Sequence, residues 1–444
     1  MESAVSVQRE TRSSLLPMAI IGMLFFIFGF VTWLNGSLMP FLKVLCDLTE
    51  FQALFVTFAF YIAYTVMALP MSFILRKTGY RDGMAIGLAI MAVAALIFIP
   101  AVQTGSYLVF LVALFGLGAG LTILQTASNP YVVKVGPAES AAMRIAIMGI
   151  ISKSAGVLAP LAFTALVLSG LTDFNSESLA ELSAAERETQ LAEVSSRLIM
   201  PYIYMAIVLF ALVGLVKFSG LPEIDEDDAA EAGQSEGSFL DILRYPQVVL
   251  GSLALFAYVG VEVIAGDTIG LYGEGLGLSN YAALTSYTMV FMVIGYTIGV
   301  VGIPRFINQQ QALFGSAVAG SLCVVGVLLG SQESTLLADI LWGWSGIAPV
   351  VPDTITFVAL MGLSHALVWP AVWPLALEGL GRLTAQGSAL LIMGIAGGAI
   401  IPTFGFGPLS EIAGEVRTGY WVALPCYLFI LFYALKGHKI RSWK

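Results

Sequence analysis

Seven polar side chains sit where an apolar environment should exclude them. Asn35, Gln125, Asn129, Lys153, Glu262, Asp267 and His365 each lie inside a hydrophobic run long enough to cross a bilayer. An ionisable group in hydrocarbon costs several kcal/mol unless it meets a partner or a wet cavity, so each is a candidate on a substrate or ion path. Amides both donate and accept, which suits a ligand rich in hydroxyls, and indoles stack on the apolar faces of such a ligand. Gln125 and Asn129 are four residues apart, as are Trp369 and Trp373, so each pair shares one helical face and can address one cavity.

The elements that carry these residues are membrane helices. The chain is 58% hydrophobic and 11% charged, with a mean hydropathy of +0.90, more apolar than a soluble domain of this length can hide. Its net charge of −9 and pI near 4.8 argue against nucleic-acid binding. Cys46, Cys323 and Cys426 lack paired spacing, which speaks against a disulfide framework or a thiolate metal site. Windows of apolar residues predict spans at 17–39, 51–75, 83–102, 107–131, 142–169 and 201–218, then 247–271, 281–303, 312–330, 354–377, 388–408 and 420–435. The first of these is read as a retained helix, because no small-residue cleavage site follows it. Trp342, Trp344, Pro349 and Pro352 mark 331–353 as an interfacial or re-entrant segment. The amphipathic pattern of 172–198 predicts a short helix outside the membrane whose charges form a solvated face.

Twelve spans put both ends of the chain on one side. Of the 20 Lys and Arg, all but Lys153 lie near span ends: fifteen fall on the side of the termini and four, Lys43, Arg187, Arg197 and Arg417, on the other. By the positive-inside rule both termini are expected in the cytoplasm, with the chain in the cell inner (cytoplasmic) membrane. The acidic, small-residue-rich stretch 220–245 reads as a linker between an N-terminal six-helix half, 1–219, and a C-terminal one, 246–444.

The halves also echo each other. Ile147-Met148-Gly149-Ile150 before Pro160 in the fifth span matches Ile392-Met393-Gly394-Ile395 before Pro402 in the eleventh. A six-plus-six chain with repeated halves resembles the major facilitator superfamily, whose substrate site lies at the midplane between the halves. The loop around Arg76, Lys77, Arg81 and Asp82 resembles that superfamily's signature loop between spans two and three, with the charge order degraded. Pro304-Arg305-Phe306 is its weaker counterpart.

More specific are Phe28-Gly29-Phe30-Val31-Thr32-Trp33-Leu34-Asn35-Gly36, Gln125-Thr126-Ala127-Ser128-Asn129-Pro130-Tyr131-Val132 and Gly136-Pro137-Ala138-Glu139-Ser140. With Glu262-Val263-Ile264-Ala265-Gly266-Asp267 and Trp369-Pro370-Ala371-Val372-Trp373-Pro374, they resemble the fucose, glucose and galactose permease group over essentially the whole chain. The resemblance implies an all-α fold of twelve transmembrane helices and import of a neutral sugar. In the group's fucose-specific members an acid follows the first-span Leu-Asn and another opens the fourth-span motif; this chain has Gly36 and Gln125. The closest resemblance is therefore to the hexose and N-acetylglucosamine branch. An L-fucose or deoxysugar proton symporter is the alternative, as is a non-transporting sugar sensor on the same fold.

Within that frame Asn35, Gln125, Asn129, Glu262, Trp369 and Trp373 are the expected sugar ligands. Glu262, Asp267 and His365 are the expected sites of coupling to H⁺ or Na⁺, with no other cofactor and with the chain acting as a monomer. Other readings stand beside these: helix-to-helix hydrogen bonds for the amides, interfacial anchoring for the indoles, a buried pair for the acids and packing for His365. Five-residue spacing places Glu262 and Asp267 about 140° apart on their helix, so they should not share a partner, and Lys153 is the available counter-charge. Gly116-Leu117-Gly118-Ala119-Gly120 follows no strand, so it reads as helix packing and not as a dinucleotide loop. No Walker motif, nucleophile elbow or metal-spaced cluster is present, which argues against an ATP-driven pump and an intramembrane enzyme.

Overall fold

The chain is described here from a computed structural model covering residues 2–134, 141–169, 174, 178–179, 182–219, 221, 239–303, 305–380 and 383–443. Twelve helices are long and apolar enough to cross a membrane. We number them α1 (Glu2–Cys46, of which Leu16–Cys46 is the apolar part), α2 (Phe55–Thr78), α3 (Tyr80–Thr104), α4 (Tyr107–Lys134), α5 (Ala141–Val167) and α6 (Ile199–Phe218). The second set is α7 (Pro246–Gly275), α8 (Thr285–Gly302), α9 (Gln309–Leu329), α10 (Asp353–Leu377), α11 (Gln386–Ala413) and α12 (Val416–Lys439). An even number of crossings leaves both termini on one side, called here the terminal face; the opposite side is the far face.

Close backbone approach holds the first half together, and the sequence supplies it with glycine. A Cβ on Gly118 would meet the Phe60 carbonyl oxygen of α2 at 2.2 Å, and one on Gly120 would meet the Gly87 oxygen of α3 at 2.6 Å. The glycine stripe of α4 is thus a packing surface between α2 and α3. Between α2 and α3 the chain turns at Gly79, whose φ of 80° lies in the left-handed region that side chains disfavour. This turn carries the basic loop. Arg81 and Asp82 approach to 3.9 Å and Lys77 is exposed, while the side chain of Arg76 lies outside the described residues.

Outside the spans, Ser183 caps a helix over Ala184–Ser196: its hydroxyl accepts from the Glu186 amide, and Glu186 returns the bond to the Ser183 amide. Bonds from Ser183 hold the exposed Glu186 carboxyl below the usual carboxylate range. Val194 is buried and the acidic face is solvated, as the periodicity predicted. Segment 331–353 does not cross the membrane. It forms a short helix, Leu336–Leu341, and a turn in which the Trp342 indole donates to the Pro349 carbonyl at 3.1 Å. Most of 220–245 lies outside the described residues, as does Gly136 to Ser140.

Two helices break close to a proline, Pro370 in α10 and Pro402 in α11. In α10 the helix ends at His365 and restarts at Val368. In α11 it passes through a tight turn at Gly394–Ala396 and a π-turn at Pro402–Phe406. Its echo in the first half behaves differently: α5 runs unbroken through Pro160. Overpacking a glycine contact costs about 1–3 kcal/mol. Gly118→Val should therefore lower the thermal unfolding midpoint in detergent, whereas Gly214→Ala, which meets nothing within 4 Å, should leave it unchanged.

Candidate functional site

The two acids of α7 point to different helices of the first half. Lys153 of α5 donates to the Glu262 carboxylate at 2.7 Å, and its ammonium lies 4.5 Å from the centre of the Trp33 ring of α1. Trp33 is itself locked in place, since a Cβ on Gly266 of α7 would fall 2.2 Å from it and one on Gly156 of α5 at 2.6 Å. Asp267 is fully buried and accepts the Thr57 hydroxyl of α2 at 2.9 Å through Oδ2; its Oδ1 has no hydrogen-bond partner among the described residues. The expected divergence of the two acids is realised, and Lys153 is the counter-charge of Glu262.

One turn below Glu262, Tyr258 carries the site into the second half. Its ring lies 6.3 Å from that of Trp369, and Trp369 lies 5.6 Å from Trp373. The Trp373 Nε1 is buried with no partner among the described residues. His365 closes the same cluster: its ring is 6.0 Å from Tyr258, its Nε2 is 2.5 Å from the Tyr427 hydroxyl, and its Nδ1 has no partner among the described residues. On the first half, Asn35 is 2% exposed, its Nδ2 without a partner among the described residues, two residues along α1 from Trp33. Gln125 is half-buried on α4, and the side chain of Asn129 lies outside the described residues. The structure therefore joins Glu262, Lys153, Trp33, Tyr258, Trp369, Trp373 and His365 in one chain of contacts between the halves.

Several partners were not singled out from sequence. Thr57 is one hydroxyl in an apolar run and gives no signal on its own. Trp33 lies in a quoted motif, but no role was assigned to it there. Glu274 falls past the predicted end of its span; α7 runs on to Gly275, and Glu274 meets Lys43 of α1 at 2.6 Å, with Glu50 on the same ammonium at 2.5 Å.

These contacts also fix the conformation. Ser37 donates to the Ala282 carbonyl, Tyr281 to the Phe174 carbonyl at 2.8 Å and Ser286 to the Val157 carbonyl at 2.7 Å, each joining the two halves. Phe404 of α11 packs against Phe58 of α2, 5.6 Å between centroids. With Lys43–Glu274 and Thr57–Asp267, these links lie at or on the far side of the midplane. The far face is closed. A cavity of about 750 Å³ lined by Cys46, Arg187 and Leu191 lies at that face, under the Ala184–Ser196 helix and away from the polar chain at the midplane.

Removing one partner of a buried ion pair strands the other and costs about 3–5 kcal/mol, whereas replacing both with apolar groups costs far less. Lys153→Met and Glu262→Leu should each lower the unfolding midpoint of the purified protein. The double variant should recover most of the loss, and additive losses in the double variant would show that the pair contributes nothing.

Residues 21–405 match the Major Facilitator Superfamily. The chain is 31% identical over 422 residues to the glucose/galactose transporter of Brucella abortus, covering 94% of this chain and 93% of that one. It is 27% identical to the L-fucose-proton symporter of Escherichia coli, covering 96% and 94%. Among solved structures it resembles the Escherichia coli fucose:proton symporter at a TM-score of 0.68 and 24% identity, over 95% of this chain and 98% of that one. With twelve membrane helices and this match over most of its length, the chain belongs to the Major Facilitator Superfamily of transporters.

Proposed function

We propose that the chain imports a neutral hexose or N-acetylhexosamine, such as glucose, galactose, mannose or N-acetylglucosamine, by symport with H⁺ or Na⁺ through alternating access. The carrying observation is the chain of contacts at the junction of the halves, where an ion pair is continuous with a phenol and two indoles. A sugar ring offers apolar faces to the indoles and hydroxyls to the unpartnered Asn35 and Trp373 groups and to Gln125. Asn129 and Glu262 complete the proposed ligand set. The buried charges of the cluster are already neutralised by each other, which leaves no unpaired charge for an ionic substrate.

In this reading the midplane acids Glu262 and Asp267, with His365 beside them, are the residues available for coupling. The halves are 1–219 and 246–444, joined through 220–245. The Lys and Arg distribution supports an inner-membrane protein with the terminal face in the cytoplasm; the proposed working unit is a monomer. A second reading, an L-fucose or deoxysugar proton symporter, is favoured by the relative that carries that name. Gly36 and Gln125 weigh against it, because the acids expected at those places are missing.

Counterflow in proteoliposomes with labelled glucose, galactose, mannose, N-acetylglucosamine and L-fucose separates the two readings. Exchange of at least one of the first four is expected; exchange of L-fucose alone establishes the second reading. Gln125→Ala should weaken binding of the transported sugar by about 1–3 kcal/mol, read as a shift in the half-saturating concentration. An unchanged value with normal expression assigns Gln125 to helix packing.

A further inference from the structure

We infer that the two acids of α7 divide the work, that Asp267 alone takes up the coupling ion, and that this ion is a proton whose binding permits the far face to close. The inference rests on the transport reading above and names its ion and its site.

The two carboxyls differ in what surrounds them. Glu262 has a fixed cation at 2.7 Å, itself held by the Trp33 ring, so its negative charge is balanced in this closed arrangement. Asp267 is 0% exposed, receives a single neutral hydrogen bond and has no Lys, Arg or His within ion-pair distance among the described residues. An ionised carboxyl taken from water into such a place is far costlier than the neutral acid, which needs only hydrogen bonds. Its second oxygen, Oδ1, is buried without a partner among the described residues and is the atom left to carry the proton. A sodium ion requires several oxygen ligands besides the acid. The hydroxyls nearby are committed: Thr285 donates to the Gly266 carbonyl at 2.7 Å and Thr288 to the Ala265 carbonyl at 3.0 Å. No group of three acid, His or Cys side chains able to hold a metal ion occurs among the described residues.

The other ionisable groups packed on α7 have their own partners or remain neutral phenols. Lys43 of α1 is shared by Glu50 and Glu274, Lys153 of α5 holds Glu262, and His365 of α10 bonds Tyr427 of α12. Tyr420 of α12 meets Thr268 at 3.1 Å. Tyr61 of α2, Tyr258, Tyr272, Tyr281 and Tyr296 of α8 are phenols, uncharged at neutral pH. None supplies Asp267 with a counter-charge.

Position gives the proton its consequence. Thr57 belongs to the first half and Asp267 to the second, so their bond exists only while the far sides of the halves are together. When these halves part, Asp267 meets water of the far compartment and can ionise. Closing again buries it, and the step is cheap only after the carboxylate has accepted one proton from that compartment to become the acid. The proton is released when the site is next exposed, on the terminal side.

The test uses full-length protein in sodium-free proteoliposomes with whichever sugar shows counterflow. Wild-type protein should alkalinise the outer medium when sugar is added and should concentrate sugar under an imposed pH gradient. Asp267→Asn, which mimics the neutral acid, should retain counterflow, lose uphill accumulation by at least tenfold and show no sugar-linked alkalinisation. Glu262→Gln should instead lower counterflow and accumulation together, since it strands Lys153. Should Asp267→Asn fold poorly, Thr57→Val keeps the carboxyl and removes its only donor, and uphill uptake should then shift toward higher pH. Accumulation by Asp267→Asn, an unshifted pH profile in Thr57→Val, or wild-type accumulation that fails under the pH gradient and appears only when a sodium gradient is supplied in its place overturns the inference while leaving the transport reading intact. Absence of counterflow in the wild type overturns the transport reading itself.

Discussion

A charge placed in hydrocarbon has to be balanced, and in this protein the balance is struck across the junction between the halves. Lys153 of α5 and Glu262 of α7 belong to different six-helix sets, yet neither is tolerable at the midplane without the other. Their bond therefore defines how α1, α5 and α7 come together. Trp33 lies under the ammonium, and glycines stand where α5 and α7 press on that indole. Tyr258 follows one turn along α7, and Trp369 of α10 lies 6.3 Å from its ring. Thermodynamically the pair is a neutral unit, so it can be kept inside a moving interface without drawing a counter-ion along.

Periodicity and turn chemistry made the architecture legible. Twelve apolar windows correspond to twelve helices, and Pro402 with its neighbouring glycines marks a real irregularity in α11. The sequence echo misleads in one respect. Pro160 and Pro402 follow similar tetrapeptides, yet only the second sits in a broken helix. The difference lies in tertiary contacts: Gly397 presses against the Phe256 carbonyl of α7, where a Cβ would fall at 1.9 Å, and Gly398 against Tyr61 of α2 at 3.1 Å. In α5 the helix continues through Pro160 without such a break. A local pattern carries the option of a break, and packing decides whether it is taken.

The site was less legible than the fold, for a definite reason. Acids and a lysine in an apolar run announce themselves, and helical geometry separates Glu262 from Asp267. Hydroxyls and aromatic residues do not announce themselves, because membrane helices use them everywhere. Thr57 is one of many such hydroxyls and matters only because it faces a carboxyl with no cation. Glu274 was missed because the predicted span stopped short of it, although α7 continues to Gly275 and carries the acid to Lys43.

The closed far face is thus built at two depths with different chemistry. Near its surface, Lys43 binds Glu50 and Glu274 together, so one cation serves two carboxylates, only one of them on the second half. That cluster lies nearer to solvent than the deeper contact, with Lys43 13% and Glu50 22% exposed, although Glu274 is itself only 3% exposed. Deeper, Thr57 and Asp267 meet in full burial, where no water is at hand to replace a lost bond. Opening must therefore proceed from the surface inward: the lysine can trade Glu274 for water while keeping Glu50, and only then does solvent reach Asp267. The order follows from solvation alone, because the deep contact cannot be hydrated until the shallow one has parted.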